Sequence, residues 1–277
     1  MINGHTEIIA HIGFPTHAFK APMIYNPWLA QAGVNAIVVP MGCQAKDYPD
    51  FLRSVFKLSN IRGALITMPH KVTTAGLLDE VLPTAAIAGS CNAVRRLPDG
   101  KLQGDMFDGE GFVRGLLRKG CTLKGARVLV VGCGGVGSAI AASLAAAGVG
   151  AIGLFDAHAP SAQGLSQRLA THYPALQVMT GSNDPAGFDV VVNATPMGMN
   201  EGDPMPMDVS RIAASAFVGE VVMKTEMTAF LTAAQARGCR FQVGSDMLFE
   251  QIPAYLEFFG LPSTTPEILR SVATLQY

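Results

Sequence analysis

Short apolar runs alternate with longer stretches whose apolar positions recur at helical spacing, from one end of the chain to the other. The runs EIIAHIG, NAIVVPMG and GALITMP predict strands, and NAVRRLPDGKLQGDM predicts strands or a hairpin. Between them, APMIYNPWLAQAG and KDYPDFLRSVFKL predict helices. Beyond residue 124 the rhythm becomes regular: ARVLVVG, a helix, AIGLFD, a helix, LQVMTG and then FDVVVNAT. Such alternation predicts an α/β fold of parallel sheets joined by right-handed crossovers. From Ser245 onward the pattern is mostly helical again, in SDMLFEQIPAYLEFFG.

These rhythms divide the chain into two domains. Residues 1–108 carry short strands and loops with unusual polar residues, and 109–244 carry the regular βα series. Residues 245–277 are helices expected to return to the first domain. A length of 277 residues suits that division. With 49% hydrophobic residues and 15% charged, the chain can bury a large core, and nothing in it resembles a disordered segment. A net charge of -1 with no Lys/Arg block argues against nucleic acid as a partner. The start, MINGHTEIIAHIGFP, lacks the basic and apolar regions of a signal peptide. The stretch SAIAASLAAAGVGAIGLF comes nearest to a membrane span, but its glycine breaks read as a helix followed by a strand, so no membrane partner is expected. The five cysteines are odd in number and form neither a CxxC pair nor a Cys/His cluster. They read as small buried residues of a reduced, cytoplasmic protein with no metal site.

In RVLVVGCGGVGSA, Gly132, Gly134 and Gly137 form G-x-G-x-x-G directly after an apolar strand and before a helix. In that context the first glycine permits the tight turn, the second lets a pyrophosphate approach the backbone, and the third lets the helix pack on the strand. The phosphates then meet the N–H groups of a helix N-terminus, so Gly135 and Val136 join the candidate set. The next strand ends in Asp156, at the separation of about 20 residues at which a carboxylate reaches the adenosine ribose. That carboxylate accepts from both ribose hydroxyls of NAD and would repel the 2′-phosphate of NADP. The following AHAPSAQ holds no arginine, so NAD is the expected cofactor. The bland alternative for Asp156 is a helix cap. Asn193, Ala194 and Thr195 end a later strand, where ligands of parallel sheets bind; the alternative is an Asx turn that stops the strand.

Lys71 follows a buried strand and a proline in GALITMPHK, and Asp108 lies in a glycine-flanked turn at the expected domain junction. Both are placed to face a cleft, where together they suit proton handling for an alcohol oxidation. His70 reads as a solvated neighbour. Tyr255, one turn past Gln251, reads equally as a pocket wall or a core contact.

With these residues in order, the chain resembles the shikimate/quinate dehydrogenase family. IGFPTHAFKAPMIYN resembles its opening motif, and GALITMPHK resembles Gly-x-Asn-Val-Thr-x-Pro-x-Lys, which puts Lys71 on the catalytic lysine. GSCNAV places Asn92 on a substrate asparagine, GDMFDGEG places Asp108 on the catalytic aspartate, and SDMLFEQ places Gln251 on a substrate glutamine. The resemblance implies a substrate domain, completed by the C-terminal helices, and a Rossmann domain. It implies hydride transfer between nicotinamide and a ring carbon of an alicyclic acid, with Thr67, Asn92 and Gln251 holding ring hydroxyls. Val221 and Met223 are expected beside the nicotinamide. A small alicyclic substrate is thus the expected partner, with a homo-oligomer left open.

The departures fall at one end of the site. Phe19 and Ala21 replace the two serines that hold the substrate carboxylate, Leu65 replaces an asparagine, and Met106 and Phe107 precede Asp108 in place of asparagine and threonine. A carboxylate there loses charge-assisted hydrogen bonds worth ~1.5–3 kcal/mol each. Lys20, Tyr25 and His17 are neighbouring candidates to replace them. Shikimate, quinate, an aminoshikimate and another carbocyclic alcohol all remain open as substrates, as does a non-catalytic NAD-binding sensor on the same fold.

Overall fold

A computed structural model describes residues 2–275. The chain forms two compact units, one running to Phe107 and resuming at Ile252, the other spanning Asp108–Gln251.

In the first unit β1 (Glu7–Gly13), α1 (Pro22–Gln31), β2 (Ala36–Gly42), α2 (Tyr48–Val55) and β3 (Ile61–Ile66) alternate as the pattern predicts. A short α3 (Lys71–Ala75), β4 (Glu80–Val81), α4 (Pro83–Ala88), β5 (Ala93–Arg96) and β6 (Leu102–Asp105) follow. Their sheet has the order β2-β1-β3-β5-β6-β4. It is mixed, because NAVRRLPDGKLQGDM takes the hairpin alternative. β1 pairs with β2 and β3 in parallel, but β5 runs antiparallel to both β3 and β6. The reason is local: the turn closed by the Leu97 N–H on the Lys101 carbonyl, 2.8 Å, is too short for a crossover and forces a hairpin.

The second unit opens on α5 (Asp108–Arg118) and continues through β7 (Arg127–Val131), α6 (Gly135–Ala146), β8 (Ala151–Phe155), α7 (Ala159–His172) and β9 (Gln177–Thr180). β10 (Val190–Asn193), β11 (Phe217–Glu220), α8 (Ala229–Ala236) and β12 (Arg240–Gln242) complete its sheet. All its pairings are parallel, in the order β12-β11-β10-β7-β8-β9. From β9 that reads 3-2-1-4-5-6, the doubly wound order of a Rossmann domain, with its switch point between β7 and β10. Val128, Leu129 and Val130 are fully buried, and α6 is buried along every residue from Gly137 to Ala145. A helix this apolar on all sides belongs inside, which is why its pattern resembled a membrane segment. No helix among the described residues is long and apolar enough to cross a membrane.

α9 (Gly244–Phe258) and α10 (Pro266–Val272) close the chain. The last carbonyl of α9 and the two just beyond it are taken by arginines of the first sheet. Arg95 donates to the Phe258 carbonyl at 2.7 Å and lies over the Phe258 ring, while Arg62 donates to Phe259 at 2.6 Å and Gly260 at 2.9 Å. Two cations at the negative end of the helix dipole also suit its charge. We predict that Arg95→Met lowers the unfolding free energy in urea by about 1–3 kcal/mol, because it strands a helix-terminal carbonyl.

Candidate active site

Lys71 stands at the carboxyl end of β3, held there by main-chain bonds. Ile66 donates to the Asn92 carbonyl at 2.8 Å, Thr67 to Ile12 at 2.9 Å, and Cys91 to the Lys71 carbonyl at 2.8 Å. These bonds gather Thr67, Lys71 and Asn92 into one cluster. Asn92 is 1% exposed, and its Oδ1 accepts the Phe107 N–H at 2.9 Å. Phe19 joins the cluster across Gly13, where a Cβ would lie 2.4 Å from Thr67 Cγ2 and 2.9 Å from Phe19 Cζ. Ala21 is the residue before α1 and is half-buried.

His70 corrects the sequence expectation. It is buried, not solvated: 1% exposed, with Nε2 2.8 Å from the Cys43 carbonyl and its ring stacked 3.9 Å from that of Tyr48. Burial holds its pKa below the usual range, and the Cys43 carbonyl offsets part of that. Its own carbonyl accepts the Thr74 hydroxyl at 2.8 Å. His70 therefore fixes the turn that presents Lys71. Only the fold, which brings Cys43 and Tyr48 to it, could reveal this. Tyr255 proves to be a core contact, its ring 4.9 Å from Phe107 and 6.3 Å from Phe259. Tyr25 is likewise in the core, 1% exposed.

In the second unit, Asp108 is buried in the first turn of α5, where the helix dipole favours a carboxylate. Gln251 is brought near it: a Cβ on Gly111 would lie 2.6 Å from Gln251 Cβ. The Gln251 Oε1 is buried without a partner.

The glycine loop has the geometry its motif requires. Gly132 has φ +100, and a Cβ there would meet the Ala194 carbonyl carbon at 2.7 Å and Thr195 Cγ2 at 2.9 Å, across the switch point. A Cβ on Gly137 would lie 1.9 Å from the Gly132 oxygen, whereas one on Gly134 meets nothing within 4 Å. That open space borders α6, whose N-terminus has no side-chain cap, and Gly134 and Gly135 are exposed there with Val136 half-buried. The cradle fits a pyrophosphate.

Asp156 Oδ2 accepts the Cys133 N–H of this loop at 2.7 Å, and Oδ1 accepts the His158 N–H at 2.8 Å. A carboxylate offers about four acceptor positions, so room for ribose hydroxyls remains. The Cys133 thiol is pushed up to about 12 by burial and then by Asp156, which makes it inert. Asn193 spends its side chain internally, as in the bland alternative. It accepts from Thr195 Oγ1 at 2.6 Å and donates to the Met197 carbonyl at 3.0 Å and Glu220 Oε1 at 2.7 Å. Glu220 is fully buried, takes the Thr228 hydroxyl at 2.5 Å, and has its pKa raised by burial. Val221 is tied to this turn through the Asn193 carbonyl, 3.2 Å, while Met223 is 51% exposed in the loop beyond. Among the described residues no group of three or more His, Cys, Asp or Glu could hold a metal ion.

Known proteins match this architecture. The sequence model described as the shikimate dehydrogenase substrate binding domain matches residues 12–94, and that of the ThiF family matches residues 118–166. A shikimate dehydrogenase (NADP(+)) of Rubrobacter xylanophilus is 32% identical over 254 residues, covering 90% of this chain and 89% of that protein. The chain belongs to the shikimate/quinate dehydrogenase family. Family members of known structure superpose along nearly the full length. The shikimate 5-dehydrogenase of Listeria monocytogenes, in complex with shikimate and NAD, gives a TM-score of 0.90 at 25% identity, over 98% of this chain and 97% of that one. The quinate dehydrogenase of Corynebacterium glutamicum, in complex with NAD, gives 0.83 at 30% identity, over 96% and 98%. As a shikimate/quinate dehydrogenase family member the chain is an oxidoreductase with a pyridine nucleotide cofactor, which sets aside the sensor reading.

One residue of the family fold here escaped the sequence reading. His11, in the middle of β1, is 7% exposed, and its pKa is lowered to about 4 by burial and then by the charge of Lys71. No motif marks it, because a histidine inside an apolar run reads as core.

Two predictions follow from this geometry. Gly134→Ala should leave the thermal midpoint unchanged yet raise the dissociation constant of the pyridine nucleotide tenfold or more, whereas Gly137→Ala should lower the midpoint itself. His11 binds a proton more readily unfolded than folded, so its contribution to stability is whole above about pH 6.5 and is lost as pH falls toward 4. The difference in urea stability between wild type and His11→Phe should therefore change by up to about 3 kcal/mol across that window.

Proposed function

We infer that this chain is an NAD-preferring dehydrogenase that interconverts a secondary alcohol of shikimate, or of a close alicyclic relative, with its ketone. The observation that carries the reading is the cluster of Thr67, Lys71 and Asn92 at the carboxyl end of β3, fixed by main-chain bonds. The unit running to Phe107 with the segment from Ile252 holds substrate, and Asp108–Gln251 holds the nucleotide. When bound, a pyridine nucleotide supplies the acceptor for the hydride that leaves the carbinol carbon. Lys71 polarises the hydroxyl oxygen and, with Asp108, receives its proton, so that one hydride and one proton leave together. Thr67, Asn92 and Gln251 hold the other ring hydroxyls and orient the reacting carbon.

NAD is favoured by Asp156, whose carboxylate is fixed against the glycine loop where a 2′-phosphate would sit. On the other side stand relatives named as NADP(+) enzymes, and Arg168 of α7, whose charge reaches the Cys133 thiol. A second substrate reading, another carbocyclic alcohol or quinate, is favoured by Phe19 and Ala21, which offer nothing to a carboxylate.

Initial rates with NAD and NADP at fixed shikimate, with quinate alongside, test this. NAD should be the faster cofactor, Asp156→Ser should shift the NAD/NADP ratio at least tenfold toward NADP, and Lys71→Ala should abolish turnover while NAD still binds. Faster wild-type turnover with NADP would overturn the cofactor assignment, and undiminished turnover in Lys71→Ala would overturn the mechanism.

A further inference from the structure

The mechanism leaves His11 without a task, and its surroundings supply one. On β1 it is in register with Leu65 of β3 and Pro40 of β2. Side chains two apart on a strand share a face, so His11 lies on the face of Gly13, the position against which Thr67 and Phe19 close. The His11 and Phe19 rings stack with centroids 4.1 Å apart. The imidazole thus belongs to the wall formed by Phe19 and Thr67, within reach of the Lys71 charge.

Its Nδ1 is enclosed and has no hydrogen-bond partner. Such a group carries a desolvation cost, and an apolar side chain at position 11 would have avoided it. A neutral imidazole has one N–H and one acceptor nitrogen. Enclosing an unmet acceptor is better tolerated than enclosing an unmet N–H, which assigns the proton to Nε2. Position 11 therefore offers a fixed, uncharged donor. Beside it stand Phe19 and Leu65, and two residues beyond Phe19 comes Ala21, none of which bears charge. A carboxylate calls for a cation or several converging donors, whereas a single neutral donor matches a hydroxyl or carbonyl oxygen.

We propose that His11 is a specificity-determining residue of the substrate site: its Nε2–H donates to an uncharged oxygen of the substrate, and the preferred substrate is a ring alcohol with no carboxylate at the Phe19–Ala21 end. The inference deepens the function above and rests on its placing the substrate at the Lys71 cluster.

The test uses shikimate and methyl shikimate, which differ in that charge and one methyl group, with the full chain as wild type, His11→Phe and His11→Gln. Phenylalanine keeps the ring stack, and glutamine keeps a donor. Both kinetics and calorimetric dissociation constants are read. Wild type should favour the ester over the acid at least tenfold in kcat/KM. His11→Phe should raise KM for the ester about tenfold with kcat changed far less, and His11→Gln should recover most of that loss. Preference for the acid, or an unchanged ester KM and Kd in His11→Phe, overturns the proposal. Without turnover of either compound the proposed activity fails, and the dissociation constants still decide the role of His11. Tighter ester binding that is lost in His11→Phe upholds that role, and no binding of the ester overturns it.

Discussion

The proposed reacting end of this protein depends on a short stretch of main chain held by hydrogen bonds. Between the end of β3 and the start of α3, Thr67 is bonded to Ile12, His70 to Thr67, and the Lys71 carbonyl to Cys91. The buried His70 ring, pinned to the Cys43 carbonyl and flat against Tyr48, braces the same turn from the side of β2. A lysine side chain has four rotatable bonds and loses entropy wherever it is held. Anchoring its backbone this firmly limits the search to the side chain alone. Preorganisation of the lysine that the proposed mechanism uses therefore begins with peptide hydrogen bonds several residues away.

The polar groups near the candidate site divide into two kinds. Asn193, Glu220 and His70 have their hydrogen bonds spent inside the chain, and they act on a ligand only by shaping what surrounds it. Gln251 Oε1 and His11 Nδ1 are buried and unmatched. Groups of the first kind are stable without a ligand. Those of the second kind carry a desolvation cost in the free protein that a ligand, or a function, has to justify. Asp156 stands between the two, committed to two backbone N–H groups while keeping acceptor capacity.

The second unit was the more legible in the sequence. Each of its signals is local: an apolar strand, three glycines at fixed spacing, a helix, and a carboxylate at the end of the next strand. The strand order 3-2-1-4-5-6 then follows from right-handed crossovers. The first unit was less so. Its mixed sheet turns on whether NAVRRLPDGKLQGDM folds back, and its short β4 leaves almost no pattern. Lys71 was legible through its motif, yet the residues that hold it were not. Cys43 and Tyr48 lie on a different strand connection from His70, and hydropathy cannot tell a buried, bonded histidine from a solvated one. The same limit hid His11, whose meaning comes from Phe19, across the turn that follows its strand, and from Lys71, distant in sequence.

Lys71 also bears on the state of His11. The charge on Lys71 helps keep His11 neutral. An arginine or lysine at position 11 would hold a carboxylate well, but it would set a permanent cation against the one that the proposed mechanism uses to stabilise a developing oxyanion. Burial resolves the conflict: desolvation, the larger cause, removes the imidazole's charge across the neutral range while leaving its hydrogen-bonding capacity intact. A polar contact near the lysine is thus obtained without a second positive charge, and a weakly basic ring is well suited to supply it.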